Sequence, residues 1–120
     1  MLDGEIRLRG LGARVSVERD AFGVPTIRGG NRLDVARATG FLHAQDRFFQ
    51  MDLARRNAAG ELSALLGPAA LSIDRKRRLH RLRPVARRIF GELPEHHRSL
   101  LSAYAEGINQ GLARLRAPPL

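Results

Sequence analysis

The stretch Phe41-Leu42-His43-Ala44-Gln45-Asp46-Arg47-Phe48-Phe49-Gln50-Met51-Asp52-Leu53-Ala54-Arg55-Arg56 decides how the chain is read. It has a helical pattern that is apolar on most sides rather than along one stripe, and a helix of that kind is built to be enclosed. Gln45, Asp46 and Arg47 stand inside it. An enclosed polar group without a partner costs about 1–3 kcal/mol, so each of the three needs a designated neighbour. Adjacent helical residues point ~100° apart, so the triplet serves different neighbours instead of converging on one catalytic centre. Architectural roles follow, with Asp46 accepting donors and Arg47 donating. The helix implies a larger surrounding structure, and 120 residues are not expected to supply all of it.

Upstream, residues 5–29 read as strands. Glu5 to Arg9 alternates, Gly10-Leu11-Gly12 breaks the run, and Arg14 to Arg19 alternates again with β-branched residues on one face. Asp20-Ala21-Phe22-Gly23-Val24-Pro25 is a turn: Gly23 can take positive φ, and Pro25 removes a ladder donor. A third short strand, Thr26 to Arg28, completes a small antiparallel meander. From Asn31 the period becomes helical. Asn31 is the N-cap, the charge of Asp34 favours the helix start, and one helix is expected to about Ala59. Gly40, inside it, marks a place where another backbone comes close.

Downstream, Gly60 and Gly67-Pro68 bracket a short helical segment, Glu61 to Leu66. A basic amphipathic helix is expected from about Ala69 to Phe90, with a kink at Pro84. Pro94 opens the last helix, on which Leu100, Leu101, Tyr104, Ile108 and Leu112 share helical spacing, and Ala117-Pro118-Pro119 ends it. Helices thus occupy residues 31–116, and the fold class is α+β.

With 43% hydrophobic residues the chain can build a core, and its length sets an expectation of one domain or less. The formal charge is +9, yet Lys76 is the only lysine among 21 cations, a skew that points to codon composition rather than a selected phosphate-binding surface. The absence of cysteine excludes disulfides, thiolate metal sites and cysteine nucleophiles. The amino terminus lacks a basic region followed by an apolar one, so no signal peptide is expected, and no apolar run reaches the ~18 residues of a membrane span.

The strongest electrostatic signal is Asp74 to Arg88, eight cations against one acid. Such a helix can bind nucleic acid or an anionic membrane surface, and a stand-alone basic module acting through residues 75–88 is the alternative reading of the whole chain. No aromatic residue interleaves the charges for base stacking, so a solvated face meeting acidic surface on a larger protein is preferred and nucleic acid is not an expected partner. Asp52 with Arg55 and Arg56 has the spacing of helix ion pairs at a solvated rim. His43, His80, His96 and His97 lack metal-ligand spacing. Ser16, Ser63, Ser72, Ser99 and Ser102 lie in no nucleophile elbow, and no phosphate-binding glycine loop is present.

Four blocks in order, Val17 to Arg28, Gly40 to Arg56, Gly60 to Gly67 and Tyr104 to Asn109, resemble the start of the penicillin acylase family, over about residues 14–112. The resemblance implies a fragment of the four-layer αββα fold of N-terminal-nucleophile hydrolases. It implies a precursor cut into an α chain and a longer β chain, which hydrolyses amides of acylated amines such as penicillins or acyl-homoserine lactones. The nucleophile would be a serine opening the β chain, with its own α-amine as base and β-chain donors around the oxyanion. Calcium between the chains is typical of the family, and export to the periplasm or beyond is common. Residues 1–120 would then be an incomplete N-terminal segment of the α chain, whose partners are the rest of that chain, the β chain and a small acyl-amide substrate. No Gly-Ser processing junction occurs in it, and it stops before the helix that supplies a wall of the acyl pocket and a carboxylate for calcium. No catalytic, substrate-binding or metal-binding residue is therefore carried over. Gly23, Pro25, Gln45, Asp46 and Arg47 match family motifs as structural residues, and the segment alone is expected to be inactive.

Overall fold

The computed structural model describes residues 3–115. Two strands are followed by five α-helices: β1 (Ser16–Arg19), β2 (Pro25–Arg28), α1 (Arg32–Ala59), α2 (Ser63–Leu66), α3 (Leu71–Leu79), α4 (Leu82–Glu92) and α5 (Glu95–Ala113). A 3-10 turn, Pro68–Ala70, leads into α3. The chain forms two compact units, one holding residues up to Asp46 together with Ser99–Leu115, the other Arg47–Arg98. No helix among the described residues is long and apolar enough to cross a membrane.

In the first unit β1 and β2 pair antiparallel, Ser16 opposite Arg28 and Arg19 opposite Pro25. Pro25 opens its strand, where a missing N–H is tolerated. The expected first strand at Glu5 to Arg9 does not form. Its backbone is satisfied instead by side chains of α5 and its end: Gln110 accepts from the Arg9 N–H at 2.7 Å and donates to the Arg9 carbonyl at 3.0 Å, and Arg114 donates to the Arg7 carbonyl. Alternation identified an extended segment, but an amide side chain took the place of a neighbouring strand.

The start of α1 is as its sequence requires. The Asn31 Oδ1 accepts from the Asp34 N–H and its Nδ2 donates to the Asp34 carboxylate, both at 2.9 Å, a reciprocal cap. Asp34 is itself buried. α1 meets α5 through small residues. A Cβ placed on Gly40 would fall on the Tyr104 carbonyl oxygen, one on Gly107 would fall on the Arg37 carbonyl oxygen, and one on Gly111 would lie 2.7 Å from the Phe41 carbonyl. Gly40 thus marks a close backbone approach. The buried face of α5 is Ala103, Gly107 and Gly111, spaced four apart, and not the larger apolar residues of the same helix: Leu101 stays 48% exposed. Close approach of two backbones selects small side chains for the seam and leaves the large ones at its rim.

α1 contains one non-helical residue, Arg47 (φ −140°, ψ 18°), at the boundary between the units. It ends at Gly60, whose φ of +72° is suited to glycine; the Glu61 N–H returns to the Arg56 carbonyl at 2.8 Å, closing the last turn. The single basic helix expected from Ala69 to Phe90 is two helices. The chain breaks at His80 and Arg81, where Arg81 takes φ +49°, before α4 starts at Leu82. A helix running through Pro84 would set the proline ring against the His80 carbonyl, so the break falls one turn upstream and Pro84 sits in a first turn, where no N–H is required. Pro94 opens α5, its carbonyl accepting from His97 and Arg98. The expected ending at Ala117-Pro118-Pro119, with the last residue of the 31–116 helical range, lies outside the described residues.

Candidate functional site

Two motif residues of the first unit, Gly23 and Asp46, meet at one guanidinium. Gly23 stands at the tip of the β1–β2 turn with φ +79°, and its N–H donates to the Asp20 carbonyl at 3.0 Å. One oxygen of the Asp20 carboxylate accepts from the backbone N–H of both Phe22 and Val24 at 2.9 Å, fixing the turn from within. Arg19 then ties this turn to α1. Its Nη1 donates to the Gly23 carbonyl at 2.8 Å, and Nη1 and Nη2 donate to the two oxygens of Asp46 at 2.8 and 3.0 Å. A forked guanidinium is suited to this planar, two-point grip. Gly23, Pro25 and Asp46 are thereby brought together through a residue that spacing did not single out.

Gln45 and Arg47 lie apart from that cluster. Gln45 lines an apolar cavity of about 190 Å³ whose walls include Ile6, Leu11, Val17, Phe41 and Leu42. Arg47 occupies the break in α1. The burial expected for the triplet is not found among these residues: Gln45, Asp46 and Arg47 are all exposed. The described chain supplies Asp46 with a partner and leaves Gln45 and Arg47 exposed.

Asp34 and Asp74, to which the sequence assigns only a helix-start charge and a place in the basic run, are the buried carboxylates. Asp34 accepts from the N–H groups of Gly12 and Ala13 at 2.9 and 3.1 Å. The Gly12 hydrogen bond, with those of Asn31 and Ala13 and the charge of Arg37, holds its carboxyl below the ordinary aspartate value despite burial. Asp74 accepts from Leu62 and Ser63, both at 2.8 Å. Burial pushes its carboxyl up, but the hydrogen bonds from Ser63 and Leu62 outweigh that and the net direction is down. Each lies in a first helical turn and reaches back to a loop already passed. An acid in a first helical turn is the signal that the sequence offers for both.

Arg37 was also missed. Its guanidinium is only 11% exposed, donates to the Gly10 carbonyl at 2.9 Å and pairs with Glu106. In the second unit Asp52 is held below its ordinary value by Arg56 and Arg55; at 11% exposure it is more enclosed than the rim position expected. Of the basic run, Arg83 pairs with Glu61, lowering the Glu61 carboxyl, Arg78 donates to the Gly60 carbonyl and Arg77 to Asn57. These arginines serve their own unit.

Asp34, Asp74, Asp52 and Glu61 each accept from N–H or guanidinium donors. No group of three or more possible ligand side chains clusters among the described residues. Ser16 lies in β1, Ser63 in α2, Ser72 in α3, and Ser99 and Ser102 in α5.

The structure superposes on a thermostable penicillin G acylase from Alcaligenes faecalis with a TM-score of 0.77 and 34% identity, over 86% of this chain and 55% of that one. Residues 14–120 match the family described as penicillin amidase. The chain belongs to that family of hydrolases. It is 42% identical over 112 residues to the penicillin acylase 2 proenzyme of Pseudomonas sp. (strain SE83), covering 93% of this chain and 14% of that protein. It is 38% identical over 109 residues to the acyl-homoserine lactone acylase QuiP of Pseudomonas aeruginosa, covering 91% and 13%. The chain thus spans about one-seventh of the length of these curated relatives.

Proposed function

We propose that these residues are the N-terminal α-chain segment of an amidohydrolase that cleaves the amide bond of acylated amines, β-lactam antibiotics or acyl-homoserine lactones. The observation that carries this reading is the extended match: one family across residues 14–120, with relatives named as a penicillin acylase proenzyme and an acyl-homoserine lactone acylase. In this reading the serine nucleophile opens a β chain cut from the same precursor and its own α-amine serves as base. In the same reading calcium would take its ligands from outside the segment. Export to the periplasm or beyond goes with the same reading.

The segment's contribution is architectural. Its exposed apolar side chains, among them Phe22 at 92% and Leu79 at 82%, support a role as one piece of a larger packed body. The test is to express the chain with its coding continuation, sequence the amino terminus of any processed second chain, and assay hydrolysis of phenylacetyl and long-chain acyl amides. A Ser-initiated chain with amidase activity is expected, and none from the purified 120-residue segment. Hydrolysis by that segment alone would refute the division of labour. If it is instead inert, monomeric and binds DNA with a steep salt slope, the basic module at residues 75–88 replaces this reading.

A further inference from the structure

The turn between β1 and β2 is ordered beyond what a solvent loop requires. Within five residues the Asp20 N–H donates to the Val24 carbonyl at 3.1 Å, the Gly23 N–H to the Asp20 carbonyl, and the Phe22 and Val24 N–H groups to the Asp20 carboxylate. Arg19 caps the remaining Gly23 carbonyl and is anchored on Asp46. Most of the turn's N–H groups are thus satisfied internally, and the large side chains it presents outward are apolar: Phe22, 92% exposed, beside Val24, 58% exposed. Turn tips that face water carry Gly, Asn, Asp or Ser, and a phenyl ring leaves 150–250 Å² of surface (roughly) to be buried.

We propose that this turn is an assembly anchor which inserts Phe22 into an apolar pocket formed by the portion of the same precursor that follows this segment. The inference rests on the function proposed above. The backbone that carries the ring is already fixed before contact, so less conformational entropy is lost on association and more of the ring's burial contributes to it, as at an interface hot spot. The neighbouring charges choose the occupant. Arg19 is committed to Asp46 and Arg28 to Glu18, so the two hairpin arginines are already paired and do not favour an anionic lipid or nucleic acid as the occupant. The turn also lies within the stretch that matches the family, and about six-sevenths of the length of the curated relatives lies outside the match, which makes the remainder of the same polypeptide the available partner.

Hydroxyl-radical footprinting of the wild-type, full-length protein, read by mass spectrometry, tests this without a substitution. Phe22 is expected to oxidise about tenfold more slowly in the native protein than after urea unfolding, independently of protein concentration. Equal rates in processed, active protein overturn the anchor while leaving the proposed function standing. Protection lost on dilution assigns the pocket to a second copy and also overturns it. A protein that is neither processed nor active removes the functional reading, and the inference falls with it. As a second measure, Phe22→Leu is expected to keep the processed chains together through gel filtration in mild urea, and Phe22→Ser to release them at lower urea; identical behaviour overturns the proposal.

Discussion

In the first unit Asp34 stands in the opening turn of α1 and grips the N–H groups of Gly12 and Ala13; in the second, Asp74 stands in the opening turn of α3 and grips those of Leu62 and Ser63. The device is the same, but its surroundings are not. Asp34 has Asn31 as a further partner, and its unit also buries Phe41, Leu42 and the glycine seam of α1 and α5. The second unit buries Gly60, Leu62, Ala70 and Asp74, so a carboxylate is one of its four buried residues. With so little apolar area enclosed, hydrophobic burial contributes less there, and a larger share of order falls to Asp74, the Asp52 cluster and the Arg83–Glu61 pair. One unit is held by backbone approach and a core, the other by polar clamps.

The largest effect is expected where two backbones touch. Gly40→Leu or Gly107→Leu puts a side chain where a carbonyl oxygen of the opposite helix stands, and no rotamer change can relieve a backbone clash. The helices must separate, at a cost of about 3 kcal/mol or more. Expressed with its continuation, such a variant should fail to accumulate as soluble protein. Native-like thermal melting of either variant would break the account of the seam.

Exchanging the clamps measures how unequal the two units are. In Asp34→Asn and Asp74→Asn one accepting oxygen becomes a donor facing an N–H, so each loses a hydrogen bond and gains a donor–donor contact. Hydrogen exchange should accelerate at Gly12 and Ala13 in the first variant and at Leu62 and Ser63 in the second. The acceleration should spread through α2 and α3 in the second unit, while α1 and α5 stay protected in the first. Equal spread in both would erase the distinction.

Much of this was legible in the chain. Asn31 as cap, Gly40 as a close approach, the 20–25 turn and the opening of α5 at Pro94 all follow from local chemistry, because each depends on a residue type with few alternatives at that backbone position. The unread parts depend on partners distant in sequence. Gln110 replacing a strand beside Arg9 is a pairing across 101 residues, and no alternation pattern carries it. Arg19 and Asp46 each look like an ordinary surface charge until the hairpin folds onto α1. Asp34 and Asp74 were visible as acids in first turns, but their burial depends on loops that return to them. The enclosure expected for Gln45, Asp46 and Arg47 requires neighbours that the described residues do not include.

Acid should act on both clamps in the same direction. Asp34 and Asp74 both have folded values below the ordinary 3.8, so the native state binds fewer protons than the unfolded one. The stabilisation is present above that value and is lost as pH falls through the depressed one. Exchange at Gly12, Ala13, Leu62 and Ser63, corrected for intrinsic rates, should stay flat from neutral pH to about 4 and rise below it. A rise centred at neutral pH would mean that another group holds those amides.

The smallest effect has the opposite sign and isolates the seam from helix propensity. Gly91 lies in α4 with open space around it, so Gly91→Ala meets nothing within 4 Å. Alanine loses less backbone entropy on folding, and the variant should be more stable by up to about 1 kcal/mol, less the discount for a position near the helix end. At Gly107 the same substitution drives a methyl into the Arg37 carbonyl and should be strongly destabilising. Both sites are helical glycines changed to the residue with the best helix propensity, so propensity alone predicts two gains. Opposite shifts in the thermal midpoint assign the difference to what stands opposite each glycine, and two shifts of the same sign would remove the steric basis of the comparison.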